Sequence, residues 1–241
     1  MAEDEIIKHT KTIYKAWKDP HKGWFHKFKE ILVEILIIIF AVSVSIWFHN
    51  WSESLKDRKE EKEFLTGLKG DLQGDIIQMQ GDMESYKNTI TGINYFMRVA
   101  NGAPLQNDSL AKYGGTFFNT TQLVPNTSRF EALKSSGKLS IIENTQLLNN
   151  ILELYQEHIV QVIFLNHAYI DYKLNHLGSF IDDNVHFDAK GNIDNWNKIL
   201  IMPKMHMFLA RGGAANANIL EYQAAIDKCK QIITEIDKEL K

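Results

Sequence analysis

Residues 31–48 read ILVEILIIIFAVSVSIWF. Glu34 is the one ionisable side chain in the run; everything else is apolar or small. Eighteen helical residues at 1.5 Å each reach about 27 Å, close to the hydrocarbon thickness of a bilayer. Aromatic residues bracket the run, with Trp24 and Phe25 before it and Trp47, Phe48 and Trp51 after it, as expected of rings at the two membrane–water interfaces. The competing readings are a buried core helix and a signal peptide. The leading region is too long for a signal peptide, and no small-residue cleavage site follows. The expectation is a single-pass membrane protein with residues 24–51 in the bilayer.

The flanks set the orientation. Residues 8–29 carry seven lysines and only one acid, Asp19, whereas residues 56–63 mix both signs. The positive-inside tendency places the N-terminus in the cytoplasm and the larger C-terminal part on the other side. Within residues 1–23, Ile6, Ile13, Tyr14 and Trp17 share one helical face, with Lys8, Lys11, Lys15 and Lys18 over the rest. This suits a basic helix lying on anionic headgroups, the alternative being a disordered basic tail. Glu34 has three readings: a buried or inter-subunit carboxylate, a side chain snorkelling to the headgroups, or part of an ion path. Ala41 and Ser45 form a small-xxx-small pair that permits close helix contact.

The chain has 241 residues, a formal net charge of -3 and one cysteine, Cys229. A near-neutral balance argues against nucleic acid as a partner. One cysteine excludes an internal disulfide framework and a cysteine-based zinc site.

Residues 52–241 read as a helical extracytoplasmic domain. Leu65, Leu68, Leu72, Ile76, Met79, Met83, Tyr86, Ile90, Ile93 and Met97 recur at spacings of three and four, the mark of a long amphipathic helix of coiled-coil-like period. No strong break separates it from the membrane segment, so one rod of roughly 100 Å is expected over residues 31–100. Gly67, Gly70, Gly74, Gly81 and Gly92 project opposite the apolar stripe. Glycine costs up to about 1 kcal/mol in a helix interior, so this line is expected to be a packing surface for a second helix, within the chain or between subunits, a tolerated solvent face being the alternative. Residues 101–127 read as a loop, and 145–182 as the most apolar helix of the domain and the centre of its bundle. Residues 185–194 read as a small hairpin or tight turn. The last helix starts near Ala214 with the stripe Ile219, Tyr222, Ile226, Cys229, Ile233, Ile236 and Leu240, which makes Cys229 a core residue. The fold class is mainly α: a transmembrane helix continuing into a long amphipathic helix, with an elongated antiparallel helical bundle.

No constellation reads as catalytic, and no cofactor is implied. His158, His167 and His176 sit nine apart, so successive rings point to opposite faces of a helix. In the run 186–197 the calcium-loop positions would fall on His186, Lys190 and Asn197, which are poor calcium ligands. Met202, Met205, His206 and Met207 form a soft-ligand-rich stretch better suited to packing than to copper(I). Ser135, Ser136 and Gly137 read as a helix-ending turn. There is no P-loop, dinucleotide fingerprint or HExxH.

Two blocks carry a resemblance. One is Glu34-Ile35-Leu36 opening an apolar helix that ends near Asn50-Trp51 and is followed by a charged run and Phe64, Leu65 and Leu68. The other is Phe130-Glu131-Ala132-Leu133-Lys134-Ser135-Ser136-Gly137-Lys138-Leu139, followed by Ile142, Asn144, Leu147 and Tyr155. Together they resemble the domain-of-unknown-function family DUF6090 of uncharacterised Bacteroidetes membrane proteins. The chain departs from the family pattern in lacking a glycine in the spanning helix and in its longer N-terminal arm. The resemblance implies a bacterial envelope setting and an N-terminal anchor, and it draws attention to Glu34 and the Ser135-Ser136-Gly137 turn. It brings no activity.

The expected function is that of a non-enzymatic envelope subunit in the bacterial inner membrane, N-terminus cytoplasmic and C-terminal domain periplasmic. It would assemble with itself or with other membrane protein subunits as a scaffold or accessory component. The alternative is an extracytoplasmic helical sensor or ligand-binding domain.

Overall fold

A computed structural model describes Lys11 and residues 24–241. Apart from Lys11, the basic segment expected over residues 1–23 lies outside the described residues, as do the side chains of Trp24 and Phe25.

One helix, α1 (Trp24–Ala100), carries both the apolar run and the amphipathic stripe. It contains no proline and ends where the sequence offers Asn101-Gly102. Gly102 takes φ +101°, and its N–H donates to the Val99 carbonyl while the Ala103 N–H donates to that of Arg98. These paired bonds satisfy the last carbonyls of the helix in a left-handed glycine cap. The chain divides into two units at Glu61/Lys62. In the first, α1 exposes Phe40, Ile46 and Trp47 along the apolar run, and Trp47 stacks on Trp51 with ring centroids 6.4 Å apart.

In the second unit, α1 is followed by α2 (Asn107–Tyr113), a 3-10 turn (Gly114–Phe117) and α3 (Ser128–Ser135). Next come α4 (Thr145–Glu153), α5 (Ile159–Asp171) and α6 (Ser179–Asp182), joined into one continuous helix by π-helical stretches at Leu154–His158 and Tyr172–Gly178. The Asn144 side chain caps α4 by accepting from the Leu147 N–H at 3.1 Å, a standard helix start. The chain ends with α7 (Trp196–Leu200), α8 (Pro203–Gly212) and α9 (Ala215–Glu239). Among the described residues the only strand-like pairing is an isolated bridge, Phe187 to Ile193, closing the tight turn at Gly191.

Two apolar cores fill this unit. The larger joins Leu65, Leu68, Leu72 and Met79 of α1 to Leu147, Ile151, Val162 and Tyr169, and to Tyr222, Ile226, Cys229 and Ile236 of α9. The smaller joins Ile93, Phe96 and Val99 at the end of α1 to Phe117, Leu177, Phe180, Trp196, Ile199 and Phe208. Ile90, Ile76 and Met97, expected in the stripe, are partly buried at its edge. Burial shifts instead to Phe96 and Val99, because α1 meets a different set of neighbours past Ile93.

Helix α9 runs antiparallel to α1, as the Lys69–Asp237 and Asp82–Tyr222 contacts show. The α4–α6 helix runs in the same direction as α1, meeting it at Tyr86–Asn166 and, further along both, in the core of Ile93 and Leu177. Residues 118–127 make this possible. They form an extended strap that travels back along α1 before α3 begins. The helix read over 145–182 as the most apolar and the centre of the bundle is covered on one side and not all round. Val160 and Phe164 are exposed at 56% and 63%, while the buried face in the middle of that helix includes Ile159, Val162, Asn166, Tyr169 and Lys173. Residues 101–127, read as a loop, contain α2 and the 3-10 turn.

Candidate functional site

The strap lies on the flank of α1 that bears glycines and aspartates. A side chain added at Gly92 would collide with the Thr116 hydroxyl, and one at Gly67 with the Arg129 guanidinium, while Gly74 faces the Asn126 amide at 3.6 Å. Asp71 accepts from Arg129 Nε at 2.9 Å. Asp75, 1% exposed, accepts from the Asn126 backbone N–H at 3.0 Å and from its Nδ2 at 2.7 Å. The Gln78 amide donates to the Gln122 carbonyl, and Asp82 accepts from the Thr121 hydroxyl. Contact order along α1 is thus the reverse of order along the strap. The geometry closes: 25 helical residues from Gly67 to Gly92 and 13 largely extended residues from Thr116 to Arg129 each span roughly 40 Å.

A buried polar knot ties the strap to the other long helices. Asn166, fully buried, accepts from the Leu123 N–H at 2.9 Å and from the Tyr222 hydroxyl at 2.8 Å. Its Nδ2 donates to Asn218 Oδ1 at 2.9 Å and to the Tyr86 hydroxyl at 3.3 Å. Tyr222 also donates toward Asp82 Oδ2 at 3.1 Å. Burial, reinforced by Asp82, pushes the Tyr86 and Tyr222 hydroxyls well above their ordinary range. They stay neutral and serve as donors. Burial likewise raises the Asp75 carboxyl, against the lowering effect of its bonds from Asn126, and pushes the Cys229 thiol up to about 12. A thiol so placed is an inert core group.

Beside this knot lies a cavity of about 620 Å³, between Ser85–Thr89 of α1, the segment Lys112–Thr121, and Tyr169 and Lys173. That volume is typical of small-molecule sites. Its lining holds two lysines and no carboxylate. Lys173 sits in the π-helical stretch Tyr172–Gly178 and is 1% exposed. Its Nζ donates to the Asn119 carbonyl and lies 5.8 Å from the centre of the Tyr169 ring, within cation–π range. Among the described residues no acid forms an ion pair with it. Desolvation brings its ammonium down to about 8.

The residues singled out in the sequence are not brought together. Glu34 is half-buried in the first unit. Ser45 Oγ donates to the Ala41 carbonyl at 2.8 Å, so that hydroxyl is satisfied within its own helix. Gly70 and Gly81 face open space, with nothing within 4 Å of where a side chain would begin. Ser135 and Ser136 donate to the Ala132 and Leu133 carbonyls, and Gly137 takes φ +72°. The Gly137 and Lys138 N–H groups donate to the Lys134 and Leu133 carbonyls, a complete left-handed cap that leaves the turn a helix terminator. Met205 is buried in the smaller core, Met207 is exposed, and His206 Nε2 donates to the Ala100 carbonyl, so these side chains do not converge. Asp75, Asp82, Asn166 and Lys173 were not singled out. Their only signal was a polar residue falling on or beside an apolar helical line: Asn166 and Lys173 stand among Val162 and Tyr169, and Asp75 among Leu72, Ile76 and Met79.

A family model, that of a family of unknown function (DUF6090), matches residues 32–193. This covers the apolar run from Leu32 on, the strap and every residue lining the cavity. No curated protein and no solved structure matches the chain. The match spans well over half of the sequence and includes both blocks that carried the resemblance, so the chain belongs to the DUF6090 family of unknown function.

Proposed function

We propose that this protein is a membrane-anchored, non-enzymatic subunit of a bacterial envelope, assembling with itself or with a larger membrane protein complex. The observation that carries the reading is the apolar run of α1. It is long and apolar enough to cross a membrane, and none of its most apolar window is buried by the rest of the chain. An uncovered apolar surface of this extent needs lipid or another protein around it. The resemblance to Bacteroidetes membrane proteins supports the envelope setting. The lysine-rich N-terminal flank supports a cytoplasmic N-terminus and a periplasmic second unit.

Assembly draws support from the open line of Gly70 and Gly81, with Ile77 exposed at 71% between them. Native mass spectrometry of the detergent-extracted full chain tests it. A homo-oligomer or a defined hetero-complex is expected, weakened by Gly81→Leu with the fold intact by circular dichroism. A monomer without partners would overturn the assembly reading. The second reading, a helical domain that senses or binds a ligand outside the membrane, is supported by the polar cavity at Lys173.

A further inference from the structure

We infer that the cavity between α1, the Lys112–Thr121 segment and the second π-helical stretch binds a small organic carboxylate with a hydroxyl-bearing body, its carboxylate received by Lys173. The inference deepens the ligand-binding reading of the same cavity and rests on it.

The charge argument comes first. An ammonium removed from water is costly unless it is paired. Lys173 is almost wholly buried, has one carbonyl partner in Asn119 and one ring face in Tyr169, and has no carboxylate partner among the described residues. A lysine carries three donors, so two N–H groups remain beyond the one given to Asn119. The second lysine of the lining, Lys112, stands over the Tyr113 ring, 5.0 Å from its centre. With two cations and no acid in the wall, the cavity favours an anion. Asp82, behind Tyr86 and Thr121, is already held by the Thr121 and Tyr222 hydroxyls.

Of the two lysines in the lining only Lys173 is buried, Lys112 being exposed, and that one buried ammonium sets the charge of the ligand group. A carboxylate matches it one to one in a short, charge-assisted bond. A phosphate dianion would leave a second buried charge with no partner there. The rest of the wall is made of hydroxyls and amides interleaved with tyrosine rings, among them Asn88, Thr89, Thr116 and Tyr113. Such a wall fits a body carrying hydroxyls and C–H faces better than an aliphatic tail. The placement of Lys173 in a π-helical stretch agrees, because such distortions of a helix recur where side chains are aimed at ligands.

The test uses the full chain in detergent and three sugars of one size: D-glucuronate, neutral D-glucose and cationic D-glucosamine. Titration is followed by calorimetry and by ligand-observed NMR. D-glucuronate is expected to bind, with D-glucose and D-glucosamine at least tenfold weaker. Lys173→Met should lose at least tenfold for glucuronate while keeping the wild-type circular dichroism spectrum. Ser85→Trp, at an exposed position on the rim, should block binding without touching Lys173, which keeps the test valid if Lys173→Met misfolds. Glucose binding as well as glucuronate, or binding unchanged in Lys173→Met, would overturn the carboxylate assignment while leaving the cavity a ligand site. Failure of all three sugars to bind would overturn both.

Discussion

Lys173 is buried at a cost to the fold, and the ligand proposed for its cavity would offset that cost. Its burial brings the ammonium from the usual 10.5 down to about 8, so in the folded state the charge is disfavoured. Between about pH 8 and 10.5 the unfolded chain holds a proton that the folded chain has released, and stability conferred at this site rises with pH across that window. At neutral pH, Lys173→Met keeps the methylene stem and removes the buried charge, and the variant should be more stable than wild type by about 1–3 kcal/mol. Urea unfolding at pH 7 and at pH 10 measures this, and the advantage should shrink at the higher pH. The glycines make a second contrast. Gly92→Ala should destabilise by about 1–3 kcal/mol, because its Cβ forces the Thr116 turn to move. Gly70→Ala, with open space around it, should be neutral or stabilising by up to about 1 kcal/mol. Thermal melts of the pair decide. At this scale the sequence was only partly legible. A lysine on a buried line, such as Lys173, is indistinguishable by spacing from a solvated one until the neighbouring segment is known. The glycines showed that something comes close to α1 but not that it is an extended strap.

At the scale of elements, the strap is the organising feature. It returns the chain along α1 and so allows two long helices to run side by side in the same direction. Its backbone is held by side chains of α1 and α5: Asp75 on Asn126, Gln78 on Gln122, Asn166 on Leu123. Asp75 accepts two bonds from Asn126, and hydrogen bonds to a charged group contribute about 1.5–3 kcal/mol. Asp75→Ala should therefore lower stability by roughly that amount. Hydrogen exchange should show the amides near Asn126 opening first, with those of α9 still protected. Equal exchange in variant and wild type over the strap would mean that apolar packing of Leu123, and not the aspartate, holds it. The long helices were legible because period and length are local properties: most of the α1 stripe and the Tyr222–Ile226–Cys229–Ile236 line of α9 are buried as the spacing predicts, with Ile76, Ile90, Met97, Ile219, Ile233 and Leu240 partly buried at the edges. The strap was not. Its residues carry loop composition, and what positions them are partners some forty to fifty residues away in sequence, such as Asp75 for Asn126.

At the scale of the molecule, the two units differ in how their apolar surface is covered. Residues 62–241 carry their own cores, and buried polar groups among them are tied into the strap and the Asn166 knot. The apolar run of α1 has no such cover. The long, uncovered apolar helix over residues 31–48 was the most legible feature of the sequence, since it depends on composition over one helix length and not on any distant contact. The measurement that tests its place in a membrane most directly is membrane fractionation with an alkaline carbonate wash, comparing the full chain with a chain limited to residues 62–241. The full chain is expected in the washed membrane pellet and the shorter chain folded and soluble. A full chain released into the supernatant by the wash would contradict it.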